Sequence, residues 1–352
     1  MKWQTILPMF IIGISQITNS AAAVVVYNLT PLGDLLGGSM TTPYWISDNG
    51  QIVGSGFPAT GQYAAIKFDS TGGGQNIRLS QNYSCARSVN DRGQIVGYGY
   101  QGAGSIKPLL FDPTGNGNNI ILATFSGAAY AINNSGQIVG ASGDGESSRA
   151  WLFDIAGSGN NVSLGQGSAD SISDNGLIAG SSHPVRRDGW HATLFDPTGG
   201  AKNVDLGKLF PTDDRSFATS VNDHGQIVGY SGGPDSGYTA TLYDPTGNGN
   251  NIALGAIGDS EARCINNAGQ IVGTQSGNAT LFDITGKGDN INLNDLIDPS
   301  LGWSLYDAVH INENGWIIGT GNMGVYLLTP EPATLLLLGL GSLPLLRGRR
   351  RA

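Results

Sequence analysis

Positive charge is scarce in this chain. Lys and Arg number 18 against 27 Asp and Glu, and charged residues of both signs make up only 13% of the 352 residues. The whole chain carries a formal charge of −9, to which Lys2 contributes +1 and a C-terminal tail +3, so the segment between them carries −13. A nucleic-acid-binding protein needs a basic face to displace counterions from phosphate, and no long basic run supplies one. We therefore predict no nucleic-acid partner.

Cysteine and histidine are also nearly absent. Cys85 and Cys264 are the only cysteines, too few for the disulfide framework of a small secreted domain. We expect both to be small buried residues, with a long-range bridge between them as the alternative. The four histidines are His183, His191, His224 and His310, and no two of them have the spacing of a zinc motif. We therefore predict no metal site.

Glycine, in contrast, is abundant and recurs at fixed positions. There are 55 glycines, against a usual share of about 7%. The stretch "INNSGQIVG" at residue 132 is one of seven similar copies, which begin at residues 46, 89, 132, 172, 221, 265 and 311 with a mean spacing near 44. Asn or Asp before Gly predicts a tight turn in which Gly takes a positive φ, and "QIVG" predicts a strand after it.

A second motif lies between successive copies of the first. It reads "LLFDPTGNGNNIIL" at residue 109 and "TLYDPTGNGNNIAL" at residue 241, and six versions of it occur along the chain. Asp-Pro-Thr-Gly predicts a turn, and the alternating apolar and polar residues on either side predict strands. Each period therefore holds about four short strands and no helix signal.

Four-stranded units repeated four to eight times are the arrangement of a β-propeller. Residues 24–329 number 306, close to seven periods of 44. The seventh unit lacks the "NIxL" strand, and "VVVYNL" at residues 24–29 supplies a similar strand at the other end of the core. We predict an all-β, seven-bladed β-propeller that closes by pairing this N-terminal strand with the last unit. An open β-solenoid is the alternative, but it does not explain the missing strand.

The repeated pattern S-x-A-x-x-I-N-x-x-G-Q-I-V-G resembles the HAF repeats of bacterial extracellular proteins, over nearly the whole core. Leu177 and Trp316 depart from it at the Gln position, and Ser47 and Ser173 depart from it at the Asn position. The resemblance implies secretion, and it implies no particular activity.

The N-terminus has the order of a cleaved signal peptide. Lys2 is followed by the apolar stretch Ile6–Ile17 and by three alanines at residues 21–23, which supply the small side chains that a signal peptidase requires. We predict a signal peptide over residues 1–23, with a retained membrane anchor as the alternative.

The C-terminus, residues 330–352, has three parts in order. They are the motif Pro330, Glu331 and Pro332, a 14-residue apolar run at 333–346, and the cluster Arg347, Arg349, Arg350 and Arg351. The run is shorter than the about 20 residues of a full membrane-spanning helix, and the arginines favour a cytoplasmic end. This tail resembles the PEP-CTERM sorting signal of Gram-negative bacteria. The resemblance implies an exosortase as partner, a membrane-anchored precursor, and export to the outer surface or matrix. A simple C-terminal anchor is the alternative.

One position varies among copies that otherwise agree. Three residues before the Ile or Val that opens each copy, six of the seven copies have Ala, which suits a crowded strand near the axis. The next residue differs from copy to copy: Tyr44, Arg87, Tyr130, Asp170, Thr219, Arg263 and Val309. The loops after "QIVG" also vary, and the longest contains Trp190. Variable side chains on a rigid scaffold are typical of recognition.

We therefore hypothesise a ligand-binding surface made of Tyr44, Arg87, Tyr130, Asp170, Arg263 and Trp190. The alternative is that these side chains fill the interfaces between blades or face water.

These features favour a secreted or surface-attached, non-catalytic protein that binds, or helps to build, an extracellular polysaccharide or biofilm matrix. Its partners would be polysaccharide or surface proteins. The alternative is a secreted propeller enzyme acting on polysaccharide, a glycosidase or a lyase. A glycosidase needs two acidic side chains about 5–10 Å apart, and Asp170 is the only acid at the variable position. No cofactor is predicted. Calcium at the second-motif loops, with Asp112 or Asp244, is an alternative, although Ca²⁺ usually takes several carboxylates.

Overall fold

A computed structural model of the chain describes residues 27–331, apart from 35–36, 60, 103, 144–146, 184–188 and 201. These residues form seven four-stranded antiparallel sheets, arranged as the blades of a ring. The predicted all-β, seven-bladed β-propeller is therefore confirmed. The predicted signal peptide, residues 24–26 of the predicted N-terminal strand, and the sorting signal beyond Glu331 lie outside the described residues.

The strands of each blade follow chain order from the central channel outward, except in the last blade. The first strand of the chain is β1 (Tyr27–Pro31). Blade 1 contains β2 (Ser39–Ile46), β3 (Ile52–Phe57), β4 (Ala64–Phe68) and β5 (Ile77–Arg78). Blade 2 contains β6 (Ser84–Val89), β7 (Ile95–Tyr100), β8 (Ile106–Phe111) and β9 (Ile120–Ile121). Blade 3 contains β10 (Gly127–Ile132), β11 (Ile138–Ser142), β12 (Arg149–Phe153) and β13 (Val162–Gln166).

The remaining blades repeat this arrangement. Blade 4 contains β14 (Ser168–Ile172), β15 (Ile178–Ser182), β16 (His191–Phe195) and β17 (Val204–Gly207). Blade 5 contains β18 (Arg215–Val221), β19 (Ile227–Gly233), β20 (Gly237–Tyr243) and β21 (Ile252–Ala253). Blade 6 contains β22 (Ser260–Ile265), β23 (Ile271–Gln275), β24 (Asn278–Phe282) and β25 (Ile291–Asn292). Blade 7 contains β26 (Leu305–Ile311), β27 (Ile317–Gly321) and β28 (Gly324–Pro330), with β1 as its outer strand.

The ring closes through β1, as the sequence predicts. β1 pairs antiparallel with β28, so that Tyr27 lies opposite Pro330 and Leu29 lies opposite Leu328. Pro330, the first residue of the predicted sorting motif, is therefore also the last residue of a blade strand. The two ends of the described chain are joined in one sheet, which an open solenoid would not do.

The connection between blades 6 and 7 contains two short 3₁₀ helices, which the prediction of strands and turns alone did not include. They are Leu293–Leu296 and Pro299–Leu301. Each begins after a side chain that accepts a backbone N–H, namely Asn292 for the first and Asp298 for the second. Helices this short have no apolar period to detect in the sequence. None of the helices in the described part of the chain has the length and hydrophobicity needed to span a bilayer.

The hydrophobic core is divided among the seven interfaces between blades. Between blades 1 and 2, for example, Val53 and Ala65 pack with Ala86 and Leu109, all fully buried. The glycine of "QIVG" lets first and second strands approach each other, since a Cβ on Gly97 would lie 2.0 Å from the Cys85 carbonyl oxygen. Cys85 and Cys264 are buried and unpaired, which confirms that they serve as small core residues.

The turn between the first and second strands of each blade is bonded to the same turn of the next blade. A side-chain oxygen on one turn accepts a backbone N–H from the preceding turn; Asp91 Oδ1, for example, accepts from the Asp48 N–H at 2.8 Å. The acceptors in ring order are Asp48, Asp91, Asn134, Asp174, Asp223, Asn267 and Glu313. The Glu313 N–H donates to Asp48 at 2.8 Å, so the set of hydrogen bonds has no free end.

A second set of hydrogen bonds runs beside the first and explains the departures at Ser47 and Ser173. In most blades the turn's first Asn donates its side-chain amide to the next turn, as Asn133 does to the Ser173 carbonyl at 3.0 Å. Ser has no amide to donate. In both Ser turns an Asn two residues later takes over: Asn49 donates to the Asp91 carbonyl and Asn175 to the Asp223 carbonyl, each at 2.7 Å. Both turn sequences therefore place one Asn side-chain amide so that it donates to a backbone carbonyl of the next turn.

Substitutions that convert one turn sequence into the other test this explanation. We expect Asn133→Ser to lower the free energy of unfolding by about 1–3 kcal/mol, because the hydrogen bond from the Asn133 amide to the next turn is lost and the Ser173 carbonyl keeps only the Gly176 N–H as donor. We expect Ser135→Asn, added to Asn133→Ser, to restore most of the loss by recreating the turn of blade 4, and Ser135→Asn alone to be nearly neutral. Chemical denaturation of the four proteins measures this. Equal stability of Asn133→Ser and the parent would contradict the assignment.

Removal of β1 tests closure of the ring. A chain beginning at residue 33 loses the buried side chain of Tyr27 and leaves the edge of β28 unpaired. Burial of a large apolar side chain contributes about 1.5–3 kcal/mol, and open strand edges associate. We expect a lower midpoint of thermal unfolding and self-association in light scattering, relative to a chain beginning at residue 24. A synthetic peptide of residues 24–32 should restore stability; an unchanged midpoint would rule out closure by this strand.

Candidate functional site

Each innermost strand contains a β-bulge at the same place. The pairing of β6 with β7 skips one residue between Ala86 and Ser88, and the corresponding strand pairs of the other six blades skip the equivalent residue. The skipped residues are Tyr44, Arg87, Tyr130, Asp170, Thr219, Arg263 and Val309, which are the variable position found in the sequence. Bulges re-aim side chains and are common beside functional sites.

The bulged residues surround one cavity at an end of the central channel. It has a volume of about 580 Å³ and is lined by all seven of them, within the about 300–1,000 Å³ typical of small-ligand sites. Trp190 also lines it, from the connection between β15 and β16. The structure therefore brings all six residues of the hypothesised surface together: Tyr44, Arg87, Tyr130, Asp170, Arg263 and Trp190. Their role in binding stays a prediction.

Arg87 is held between two aromatic rings. The carbon of its guanidinium lies 4.3 Å from the ring centre of Tyr44 and 5.7 Å from that of Tyr130. Its Nε atom is buried and has no hydrogen-bond partner among the described residues. Cation–π contacts stabilise the charge without using the N–H donors, and the Arg87 side chain lines the cavity.

The second arginine of the cavity is neutralised within the protein. Arg263 forms ion pairs with Glu261 at 2.8 Å and with Asp307 at 3.3 Å. The geometry fixes its guanidinium between two carboxylates, so its charge is already balanced. The two arginines of the predicted surface therefore differ in what they offer a ligand.

Asp170 is the one carboxyl group at a bulge. It accepts a hydrogen bond from Ser168 Oγ at 2.6 Å. Burial raises the pKa of Asp170 to about 6, against smaller opposing effects from the Ser168 hydrogen bond and the charge of Arg87. Near neutral pH, this side chain therefore exchanges between a neutral and a charged form inside the cavity.

One wall of the cavity is aromatic. Trp190 packs on Phe217 with ring centres 6.5 Å apart, and Phe217 packs on Tyr230 at 5.3 Å. The Trp190 carbonyl accepts a backbone hydrogen bond from Ser216 at 2.7 Å, which ties the loop to the next blade. Phe217 and Tyr230 were not predicted, although a signal was present: each adjoins a repeated motif at a position that also varies between copies.

The floor of the cavity is formed by Trp45 and His310, whose ring centres lie 3.9 Å apart. Burial lowers the pKa of His310 to about 3, so its ring is neutral at physiological pH. Below it, carboxylates of the turn-to-turn hydrogen bonds surround the channel. These carboxylates accept hydrogen bonds from neighbouring turns; both oxygens of Asp174, for example, accept from Asn134. Their hydrogen bonds stabilise the scaffold.

The arrangement of the described side chains does not favour a metal site. No group of three His, Cys, Asp or Glu residues in the described ranges is arranged to hold a metal ion. At the loop considered for calcium, Asp112 Oδ1 accepts from Thr114 and Oδ2 from Asn118, so the turn itself uses both carboxylate oxygens. Calcium binding in solution stays an untested alternative.

Comparison with known proteins finds distant likeness in structure only. No family model matches the chain, and no curated protein matches it. Among solved structures, a gluconolactonase from Xanthomonas campestris is similar with a TM-score of 0.45 and 11% sequence identity, over 89% of this chain and 93% of that one.

Asp170→Asn tests the environment of the cavity. Burial raises the pKa of Asp170 from 3.8 to about 6 in the folded protein. Ionised Asp170 therefore lowers the free energy of unfolding only slightly at pH 4, and by the full amount once the pH is well above 6. We expect the substitution to raise the free energy of unfolding by about 2–3 kcal/mol at pH 8 and by well under 1 kcal/mol at pH 4. Denaturant unfolding at both pH values measures this, with exposed Asp235→Asn as the control. An equal effect at the two pH values would show that Asp170 is not buried.

Proposed function

We propose that this protein is a non-catalytic binding protein whose cavity takes a segment of an extracellular polysaccharide. The observation that carries the proposal is the convergence of all seven bulged residues on one cavity. The residues that differ between blades meet there, whereas the residues that the blades share form the scaffold. A site for a ligand is the simplest use of variation confined in this way.

The chemistry of the lining supports a saccharide as the ligand. Sugars present C–H faces that stack on aromatic rings and hydroxyl groups that need hydrogen-bond partners. The aromatic wall of Trp190, Phe217 and Tyr230 supplies the first. Asp170 and Ser181, among the polar residues of the lining, supply the second. Apolar surface with a few placed polar groups is typical of small-ligand sites.

The proposed extracellular location rests on the sequence patterns at the two ends of the chain. The signal-peptide order at residues 1–23 and the PEP-CTERM resemblance at 330–352 favour export and processing by an exosortase. The protein would then reach the outer surface or the extracellular matrix of a Gram-negative bacterium. There it would bind or help to organise polysaccharide.

One observation favours the enzymatic alternative. Asp170, with its raised pKa, and Asp307, which is ion-paired with Arg263, both line the cavity. Two carboxyl groups in different environments are what a glycosidase uses as acid and base. Incubation with oligosaccharides distinguishes the two functions. Recovery of intact ligand supports binding, whereas new reducing ends or unsaturated products that Asp170→Asn abolishes would support a glycosidase or a lyase.

A glycan array probed with residues 24–329 tests the proposed function. We expect binding to a defined set of polysaccharide fragments, and we expect Trp190→Ala to weaken it about tenfold or more, because it removes a stacking surface at the centre of the site. Tyr306→Ala is the matched control, since Tyr306 is an exposed aromatic residue that does not line the cavity. Absence of binding to every glycan, or equal loss in both variants, would overturn the proposal.

A further inference from the structure

Arg87 has a charge that the described part of the protein leaves without a counterion. Its Nε is buried without a hydrogen-bond partner among the described residues, and none of the ion pairs found among those residues includes Arg87. Its contacts are the faces of Tyr44 and Tyr130. A partly buried guanidinium normally has hydrogen-bond acceptors, because unsatisfied buried donors cost free energy. The two rings therefore hold the Arg87 side chain in position, but its Nε–H donor has no acceptor.

The charges around Arg87 define what the cavity can accept. Arg263 is balanced by Glu261 and Asp307, and Asp170 lies near enough for the charge of Arg87 to lower its pKa. Arg87 thus provides one positive charge without a direct partner. A group with a single negative charge would balance it, whereas a doubly charged phosphate would bring excess negative charge close to three carboxyl groups.

The net negative charge of the protein does not prevent a negatively charged ligand from binding at Arg87. Many of its carboxylates lie in turns between first and second strands and between third and fourth strands, which the antiparallel topology places on the face opposite the cavity mouth. Asp91, Asp112 and Asp244 are examples. At physiological ionic strength, exposed charges farther away than about 8 Å are largely screened. The local arrangement around Arg87 therefore dominates binding.

We propose that Arg87 binds a carboxylate of the ligand, so that the polysaccharide recognised by this cavity contains uronic acid residues. The inference rests on the proposed saccharide binding and specifies its substrate class. The planar fork of a guanidinium matches a carboxylate with two parallel hydrogen bonds. The rings of Tyr44 and Tyr130 hold the fork in place before the ligand arrives, which reduces the entropy lost on binding.

Calorimetry with matched ligands tests this proposal. The probes are tetrasaccharides of galacturonate, mannuronate and glucuronate, each compared with a counterpart whose carboxylates are reduced to hydroxymethyl groups. We expect at least one acidic tetrasaccharide to bind about tenfold or more tightly than its neutral counterpart, the range of a charge-assisted hydrogen bond. A sulfated neutral tetrasaccharide serves as a third arm, because a sulfate ester also carries a single negative charge.

Variants assign the preference to Arg87. Arg87→Gln should bring the ratio between acidic and neutral ligands close to one, and Arg87→Lys should retain part of it. Arg149→Gln is the matched control, because Arg149 is exposed, bonds to Ser163 and does not line the cavity. Asp170→Asn should raise the ratio between acidic and neutral ligands severalfold at pH 7.5, because it removes a negative charge close to Arg87. Thermal unfolding shows whether each variant is folded. If Arg87→Gln does not fold, the effect of Asp170→Asn on the preference for acidic ligands tests the proposal instead.

The outcomes separate this inference from the proposed function. Equal binding of every acidic ligand and its reduced counterpart would overturn the inference alone, as would a preference for the sulfated ligand over the carboxylated ones. A preference that survives Arg87→Gln would place the carboxylate elsewhere and also overturn it. Failure of all ligands to bind, together with a blank glycan array, would overturn the proposed function as well.

Discussion

The fold depends on the hydrogen bonds that join each inner turn to the next one. A side-chain oxygen in one blade accepts a backbone N–H from its neighbour, and the Glu313 N–H returns the series to Asp48. Because every turn is both donor and acceptor, all seven must have the same geometry. That requirement explains why the turns share a sequence, and why a copy that loses its Asn, as at Ser173, has Asn175 to replace it.

This constraint leaves a short stretch of each inner strand free to differ. The turn fixes the lower end of the strand, and the buried alanine fixes its packing against the neighbouring blade. Between them lies the bulge, whose residue has no partner across the strand pair. Arg87, Asp170 and Tyr130 therefore occupy equivalent places and share no chemical property. Seven equivalent places around one axis produce a cavity lined by seven side chains that can differ in their chemistry.

The period of 44 residues, the turn glycines and the missing strand of the seventh unit were enough to predict the blades and their closure, because local turn chemistry and strand alternation determine them. Comparison of the copies also located the variable position. The bulge itself could not be predicted, since it is a matter of register between strands. Phe217, Tyr230 and Asp307 were missed because variation between copies alone does not show which variable side chains reach the cavity. The neutralisation of Arg263 by Glu261 was also not apparent. Charge partners depend on distances that repeat patterns do not contain.

The bulge has a consequence for how such a protein diversifies. In most folds, a change of ligand requires substitutions that also disturb packing, so that new specificity is gained at the expense of stability. Here the side chain at each bulge lies outside the turn-to-turn hydrogen bonds, and its contacts with other blades are made in the cavity lining, as those of Arg87 are with Tyr44 and Tyr130. Substitution at a bulge can therefore change the lining of the cavity one repeat at a time while the turn-to-turn hydrogen bonds are kept. The same seven positions are natural choices for a combinatorial library that seeks new binding specificities.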